Sequence, residues 1–156
     1  MGKRTAVMIS PSSSAVLGLG ATVITNRREI AADDFFVGMY TTALDEGEII
    51  TAIRFPIPKR AAYMKFKQPA SRFSLVGVFV AQFDAGVRVA VTGASSCVFR
   101  HAGLEAALSG SFTPQAAAAV AIDASELNAD LHASAAYRAN LISVQTQRAV
   151  AKMTGA

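Results

Sequence analysis

The sequence predicts an α+β domain, with strands and helices segregated along the chain. Three observations carry that prediction. Past residue 60, three apolar segments, Ala62–Lys67, Leu75–Asp84 and Val87–Gly93, follow one another at strand-like spacing, the last two joined by a tight turn at Ala85-Gly86. Helical signals then take over: Ala102–Leu108 runs to Gly110, Thr113-Pro114 opens an alanine run, and Ser134 precedes Tyr137, Leu141, Val144 and Arg148 at three-to-four-residue spacing. Between this block and the N-terminal stretch lies Pro56-Ile57-Pro58, a stiff unit that cannot continue a strand ladder. Strands followed by helices argue for α+β rather than alternating α/β, here an antiparallel three-stranded sheet covered by helices. The boundary is placed near residue 56, giving segments 1–56 and 57–156.

The N-terminal segment reads as strand-rich. Ser10-Pro11-Ser12-Ser13-Ser14 predicts a turn, and Ala15–Ala21 a short helical or turn segment ending near Gly18 and Gly20. Thr22-Val23-Ile24-Thr25 and Glu29-Ile30-Ala31-Ala32 predict a hairpin through Asn26-Arg27-Arg28. Asp34–Thr42 is too aromatic for a solvated loop, and Leu44–Glu48 is a turn with Gly47 at its apex. Ile49–Phe55 is expected to be a buried strand, stopped by Pro56.

Composition narrows the function. The chain has 156 residues, 52% of them hydrophobic and 17% charged, enough to bury the core of one ordinary domain. Lys+Arg 15 against Asp+Glu 11 leaves a net charge of +4, with the cations scattered in pairs such as Arg27-Arg28 and Lys59-Arg60. Nucleic-acid binding, which needs a clustered basic face, is disfavoured. The longest apolar runs fall far short of the ~20 residues of a membrane-spanning helix. The single cysteine, Cys97, excludes a disulfide within the chain and any cysteine-based zinc or iron–sulfur site, and favours a reducing compartment. Met1–Ile9 has too short an apolar core for a secretory signal, so a cytoplasmic location is expected.

Few residues point to chemistry. His101 and His132 carry no metal-ligand spacing and are expected at exposed helix ends. Gly18-Leu19-Gly20 runs into a strand and lacks the third glycine of a dinucleotide loop. Asp33-Asp34 and Asp45-Glu46-Gly47-Glu48 sit at turns, where acids are normally solvated, and Cys97, beside apolar Val98-Phe99 and with no adjacent His, reads as an ordinary buried cysteine at least as readily as a reactive thiol. The specific-looking block is Tyr63-Met64-Lys65-Phe66-Lys67-Gln68-Pro69-Ala70-Ser71-Arg72-Phe73. Strand alternation puts Tyr63, Lys65 and Lys67 on one face, an aromatic ring beside two cations. That face suits a planar anionic ligand, while a solvent-facing strand side with snorkelling lysines accounts for the same residues more plainly.

At this block the sequence resembles a known family, the FAD-binding medium subunits of molybdenum hydroxylases, which include aerobic carbon monoxide dehydrogenase and the xanthine dehydrogenases. Arg28-Glu29-Ile30, Asp34-Phe35-Phe36-Val37-Gly38-Met39-Tyr40-Thr41-Thr42-Ala43-Leu44 and Gly47-Glu48-Ile49-Ile50-Thr51-Ala52-Ile53 to Pro56 are similar to consecutive stretches of the family. So are Tyr63 with Lys65, Pro69-Ala70-Ser71, Val76-Gly77-Val78, Val91-Thr92-Gly93-Ala94, Glu105–Gly110 and Tyr137-Arg138. The ordered set spans about residues 15–150, leaving 1–14 outside the resemblance.

The resemblance implies the tail of an FAD-binding domain over 1–56 and a carbon monoxide dehydrogenase flavoprotein C-terminal-like domain over 57–156. It implies FAD as cofactor, with Ile50 against the isoalloxazine, Tyr63 near its face and Lys65 placing positive charge at its edge. It further implies electron relay from molybdopterin through 2Fe-2S clusters to FAD, with a molybdopterin-binding large subunit and a 2Fe-2S small subunit as partners. The family's two glycine-rich pyrophosphate loops have no counterpart here, so a fragment with weak or no flavin binding is expected. The alternative is a non-enzymatic α+β interaction or oligomerisation domain. Val23, Ile24, Phe35, Phe36, Ile49, Ile50 and Ile53 would face the family's upstream domain, so in isolation the chain is expected to form a homo-oligomer.

Overall fold

The computed structural model describes residues 11–155; residues 1–10, with the whole of the Met1–Ile9 stretch, and residue 156 lie outside the described residues. The chain enters as α1 (Pro11–Gly18), so a helix stands where the serine run predicted a turn. A proline in the first turn of a helix costs no hydrogen bond, and Ser13 and Ser14 are small enough to be buried. After α1 the chain reverses at Gly20, whose φ of +64° suits a residue without a Cβ.

The predicted hairpin forms from β1 (Thr22–Thr25) and β2 (Glu29–Ala31). Next come α2 (Ala32–Phe35), then β3 (Phe36–Gly38) paired with β4 (Thr41–Thr42). β5 (Ile50–Arg54) pairs antiparallel with the other edge of β1, giving the sheet order β2-β1-β5. The expectation of a buried strand here is corrected: all five residues of β5 are exposed. Apolar composition requires a covering layer for burial, and among the described residues β5 has a partner strand on one edge and no layer over its faces. Val23 and Phe35, expected to be bare, are instead buried with Val16, Leu17, Ile30 and Val98 in a small N-terminal core.

Four strands, one more than predicted, make the larger antiparallel sheet: β6 (Arg60–Lys67), β7 (Ser74–Phe83), β8 (Gly86–Thr92) and β9 (Phe99–Arg100), in that order. The extra strand has two residues, too short to leave an alternation pattern in the sequence. Helices α3 (Ala102–Gly110), α4 (Pro114–Ala118) and α5 (Ala135–Thr154) follow. Thr113 and Ser134 cap α4 and α5, accepting from the backbone N–H of Ala116 and Tyr137. Helix α4 stops at Ala118, short of the full alanine-rich run; the β-branched Val120 and Ile122 beyond it pack on the core outside helical conformation.

Each face of the larger sheet has its own cover. On one side Val76, Val78, Val80, Val89 and Val91 pack with Leu104, Leu141, Ile142 and Val150 of α3 and α5. On the other, α1 lies over β7 and β8, and a Cβ at Gly18 would stand only 2.6 Å from Phe79 Cδ1, so the bare glycine permits that close approach. The buried stripe of α5 is Arg138, Leu141, Ile142, Gln145, Thr146, Ala149 and Val150, whereas Tyr137 and Arg148 of the expected stripe face outward. Arg138 is buried because its Nη1 donates to the carbonyls of Leu75 and Gly93, each at 2.8 Å, and its Nη2 pairs with Asp130 at 2.7 Å.

Candidate functional site

Strand β6 alternates as its sequence predicts. Ala62, Met64 and Phe66 turn to the core under α5, leaving Tyr63, Lys65 and Lys67 on the opposite face. Tyr63 and Lys65 are half-buried; Lys67 is exposed. The Tyr63 hydroxyl lies 2.7 Å from Oγ of Ser74, the first residue of β7, and Lys65 Nζ donates to the carbonyl of Arg72 at 3.2 Å. No ion pair holds Lys65 among the described residues, so its charge lacks a carboxylate partner there. Ile50 sits in the other sheet, exposed at the start of β5. The fold thus brings Tyr63 and Lys65 together on one face, while Ile50 belongs to a separate strand system.

The entry to β5 is set by Glu48, an acid expected to be solvated at its turn and found buried. Glu48 is buried and takes a two-pronged pair from Arg28, Nε to Oε1 and Nη2 to Oε2, both at 3.0 Å. It also accepts from Thr25 Oγ1 at 2.8 Å and from the backbone N–H of Asp45 at 2.8 Å. The Arg28 bond first, then the Asp45 N–H, draw the Glu48 carboxyl down from 4.5 to about 2. Asn26 Oδ1 accepts the N–H of Ile49 at 3.0 Å, so the chain leaves this knot with Ile49 and Ile50 directed along β1. Asp33 is likewise corrected from a solvated acid: it pairs with Arg88 at 3.1 Å and with Arg100 at 3.2 Å, tying α2 to the larger sheet. Neither role has a local signature, because the partners lie far away in sequence.

Behind Tyr63, Ser74 also lines an open pocket of about 270 Å³, together with Tyr40, Phe73, Gly93, Asp130 and Arg138. Its rim includes Tyr40, and the loop carrying Ser71 and Phe73 passes through Arg72; both Tyr40 and Arg72 are non-glycine residues at positive φ, 53° and 62°. His101 is half-buried rather than exposed: its Nδ1 accepts the N–H of Leu104 at 3.2 Å and caps α3. His132 is exposed, as expected, whereas Cys97, expected to be buried, is only partly covered. No group of three or more His, Cys, Asp or Glu side chains among the described residues could hold a metal ion, and no helix among them is long and apolar enough to cross a membrane.

Comparison with known proteins agrees with this architecture. Residues 5–58 match the family described as FAD binding domain in molybdopterin dehydrogenase, so most of residues 1–14, expected to fall outside the resemblance, lie inside it. The chain is 36% identical over 137 residues to the nicotine 6-hydroxylase medium subunit of Paenarthrobacter nicotinovorans, covering 81% of this chain and 48% of that protein. It is 32% identical over 136 residues to the carbon monoxide dehydrogenase medium chain of Hydrogenophaga pseudoflava, covering 80% and 47%. The chain therefore spans about half the length of the curated relatives it matches. Its fold superimposes on quinoline 2-oxidoreductase of Pseudomonas putida 86 with a TM-score of 0.82 at 22% identity, covering 97% of this chain and 58% of that one. For carbon monoxide dehydrogenase from Hydrogenophaga pseudoflava the TM-score is 0.78 at 26% identity, covering 94% and 57%. With the FAD-domain match at its N-terminal end and both alignments continuing through most of the chain, this protein is similar, over about half of their length, to the FAD-binding medium subunits of molybdenum hydroxylases.

Proposed function

We propose that this chain supplies the ring-facing part of a flavin site in a molybdenum hydroxylase, within a relay from iron–sulfur clusters through FAD to an acceptor. The partners in this reading are a molybdopterin-binding large subunit and a 2Fe-2S small subunit, in the cytoplasm. The observation that carries it is the shared face of Tyr63 and Lys65, an aromatic ring beside a cation that no carboxylate neutralises among the described residues.

These residues fit one half of the cofactor. Tyr63 offers a ring and Lys65 a positive charge on one face, a pair suited to a planar, electron-rich heterocycle, while Ile50 offers exposed apolar surface on the separate sheet. For the pyrophosphate, the described residues hold no glycine-rich turn leading into a helix start. The bound flavin would supply the redox chemistry, and the protein binds, orients and tunes it. Lys65 tunes it by stabilising negative charge acquired on reduction. In an assembled enzyme containing this chain, Lys65→Met is expected to lower the flavin reduction potential in a potentiometric titration; an unchanged potential removes Lys65 from the site. For the chain alone, a colourless preparation that binds added FAD weakly is expected. Tyr63→Ala and Lys65→Met should each weaken that binding in a fluorescence titration, and equal affinity for both variants and the parent would overturn the reading. Stoichiometric flavin absorbance in the purified chain would show that the phosphate contacts are dispensable.

A second reading, a non-enzymatic interaction or oligomerisation domain, draws on β5, where Ile50 and Ile53 stand exposed beside Ile49, Phe55 and Ile57. A flavin-free chain that associates through this strand would favour it.

A further inference from the structure

Tyr63 is held from more than one side. Its hydroxyl meets Ser74 Oγ at 2.7 Å, and Ser74 is only 4% exposed, so solvent competes poorly for that bond. Gly77 stands directly across the ladder from Lys65, one alternation from the Tyr63–Phe79 pair. A Cβ built on Gly77 would overlap Tyr63 Oη and lie 2.9 Å from Tyr63 Cζ and 2.7 Å from Thr92 Oγ1. The phenol therefore leans diagonally over a bare glycine, with Thr92, fully buried on β8, closing the far side. Ser74 itself opens β7 where the β6–β7 register slips, opposite Lys67. That slip belongs to the same stretch of ladder that carries Lys65 and the Tyr63 contact.

We infer that Ser74 and Gly77 are positioning residues for Tyr63: the serine hydroxyl fixes the phenol end, and the missing Cβ of Gly77 sets how closely the ring lies against the sheet. The inference rests on the flavin reading for its purpose but not for its test. Either hydroxyl can donate in the Tyr63–Ser74 bond, so the pair is lost equally by Ser74→Ala and by Tyr63→Phe.

The test is NMR of the flavin-free chain with labelled tyrosine rings, where Tyr40 and Tyr137 serve as internal references. Ser74→Ala is expected to move the Tyr63 ring resonances and speed its ring flipping while leaving the other two in place; Ser74→Thr, which keeps a hydroxyl, should restore the parent spectrum. Gly77→Ala should move Tyr63 further, because the ring must vacate space. Tyr63→Phe, read with labelled phenylalanine rings, removes the same bond from the partly exposed partner and guards against a folding failure of the serine variant: the ring at 63 should flip faster than the Tyr63 ring of the parent. Unmoved Tyr63 resonances in Ser74→Ala, or no restoration by Ser74→Thr, overturns the inference. An FAD titration of the same variants reads the flavin hypothesis separately: a two- to tenfold loss of affinity in Ser74→Ala, the scale of about one hydrogen bond, supports it, and parent affinity in a variant whose Tyr63 has moved counts against it.

Discussion

Strands β5 and β7 make the sharpest contrast in the molecule. Ile50-Thr51-Ala52-Ile53-Arg54 and Leu75-Val76-Gly77-Val78-Phe79-Val80 both read as apolar strands, yet the first is exposed along its whole length and the second is almost wholly buried. The difference is not in propensity but in layers. β7 has a strand on either edge, α5 on one face and α1 on the other; β5 has β1 on one edge. Hydrophobic character states what a strand would gain by burial, and the number of covering elements decides whether the gain is realised.

The largest test of that contrast is a pair of truncations. Ile142→Ala, at a fully buried position of α5 over the sheet, is expected to cost about 2–5 kcal/mol in urea denaturation, and Ile53→Ala on β5 within about 0.5 kcal/mol. Comparable losses would mean that β5 is covered after all.

Gln145 sharpens the buried side of the comparison. Its amide is enclosed in the same layer, with neither Nε2 nor Oε1 hydrogen-bonded. Gln145→Leu is expected to stabilise the chain by about 1–3 kcal/mol, the cost of leaving a buried polar group unsatisfied, seen as a higher denaturation midpoint with an unchanged slope. A destabilised variant would show that the amide has a role beyond filling space.

Acid separates the two regions next. Burial, as the largest influence, holds His101 below its ordinary 6.5, and its Nδ1 can cap α3 only while unprotonated. A histidine with a depressed folded-state value contributes stability above 6.5 that is lost as pH falls through the lower folded value. Glu48 acts in a lower window: its contribution, complete above 4.5, disappears as pH falls through about 2. His101→Asn keeps a capping oxygen without the titration, so its melting temperature should fall less steeply below pH 6.5 than the parent's, while Glu48→Gln should flatten the profile only at the acid end. A parent profile unchanged by His101→Asn would remove the cap from the account.

The smallest effect on stability is expected from Ile50→Lys with Ile53→Lys, which place cations on an open strand edge. Their effect should fall on association instead: if the parent chain forms dimers in size-exclusion chromatography with light scattering, this variant should run as a monomer. A monomeric parent at high concentration would end the self-association reading.

Much of the fold was legible because its signals are local. Thr113 and Ser134 cap the helices that follow them, and the tight turn expected at Ala85-Gly86 forms one residue earlier, at Asp84-Ala85 between paired Phe83 and Gly86. The face shared by Tyr63 and Lys65 follows from alternation alone. Errors came where the deciding contact is distant. Glu48 looks solvated in the sequence because Arg28 and Thr25 lie in the preceding hairpin; Arg138 carries no local mark of burial because its carbonyl partners, Leu75 and Gly93, lie on the sheet. Ser74 and Gly77 look ordinary in a strand until the pairing of β6 with β7 sets Tyr63 above them.

What the sequence determined by itself was the passage from strands to helices past residue 60, the hairpins, the capped helices and the family motifs, since turn chemistry, capping and side-chain periodicity act over a few residues. Only the tertiary structure decided which apolar strand is covered, which acids are buried in ion pairs and what holds Tyr63 in place. Those outcomes depend on which surfaces meet across the sheet, and the free energy of burial or of a buried charge pair exists only once they have met.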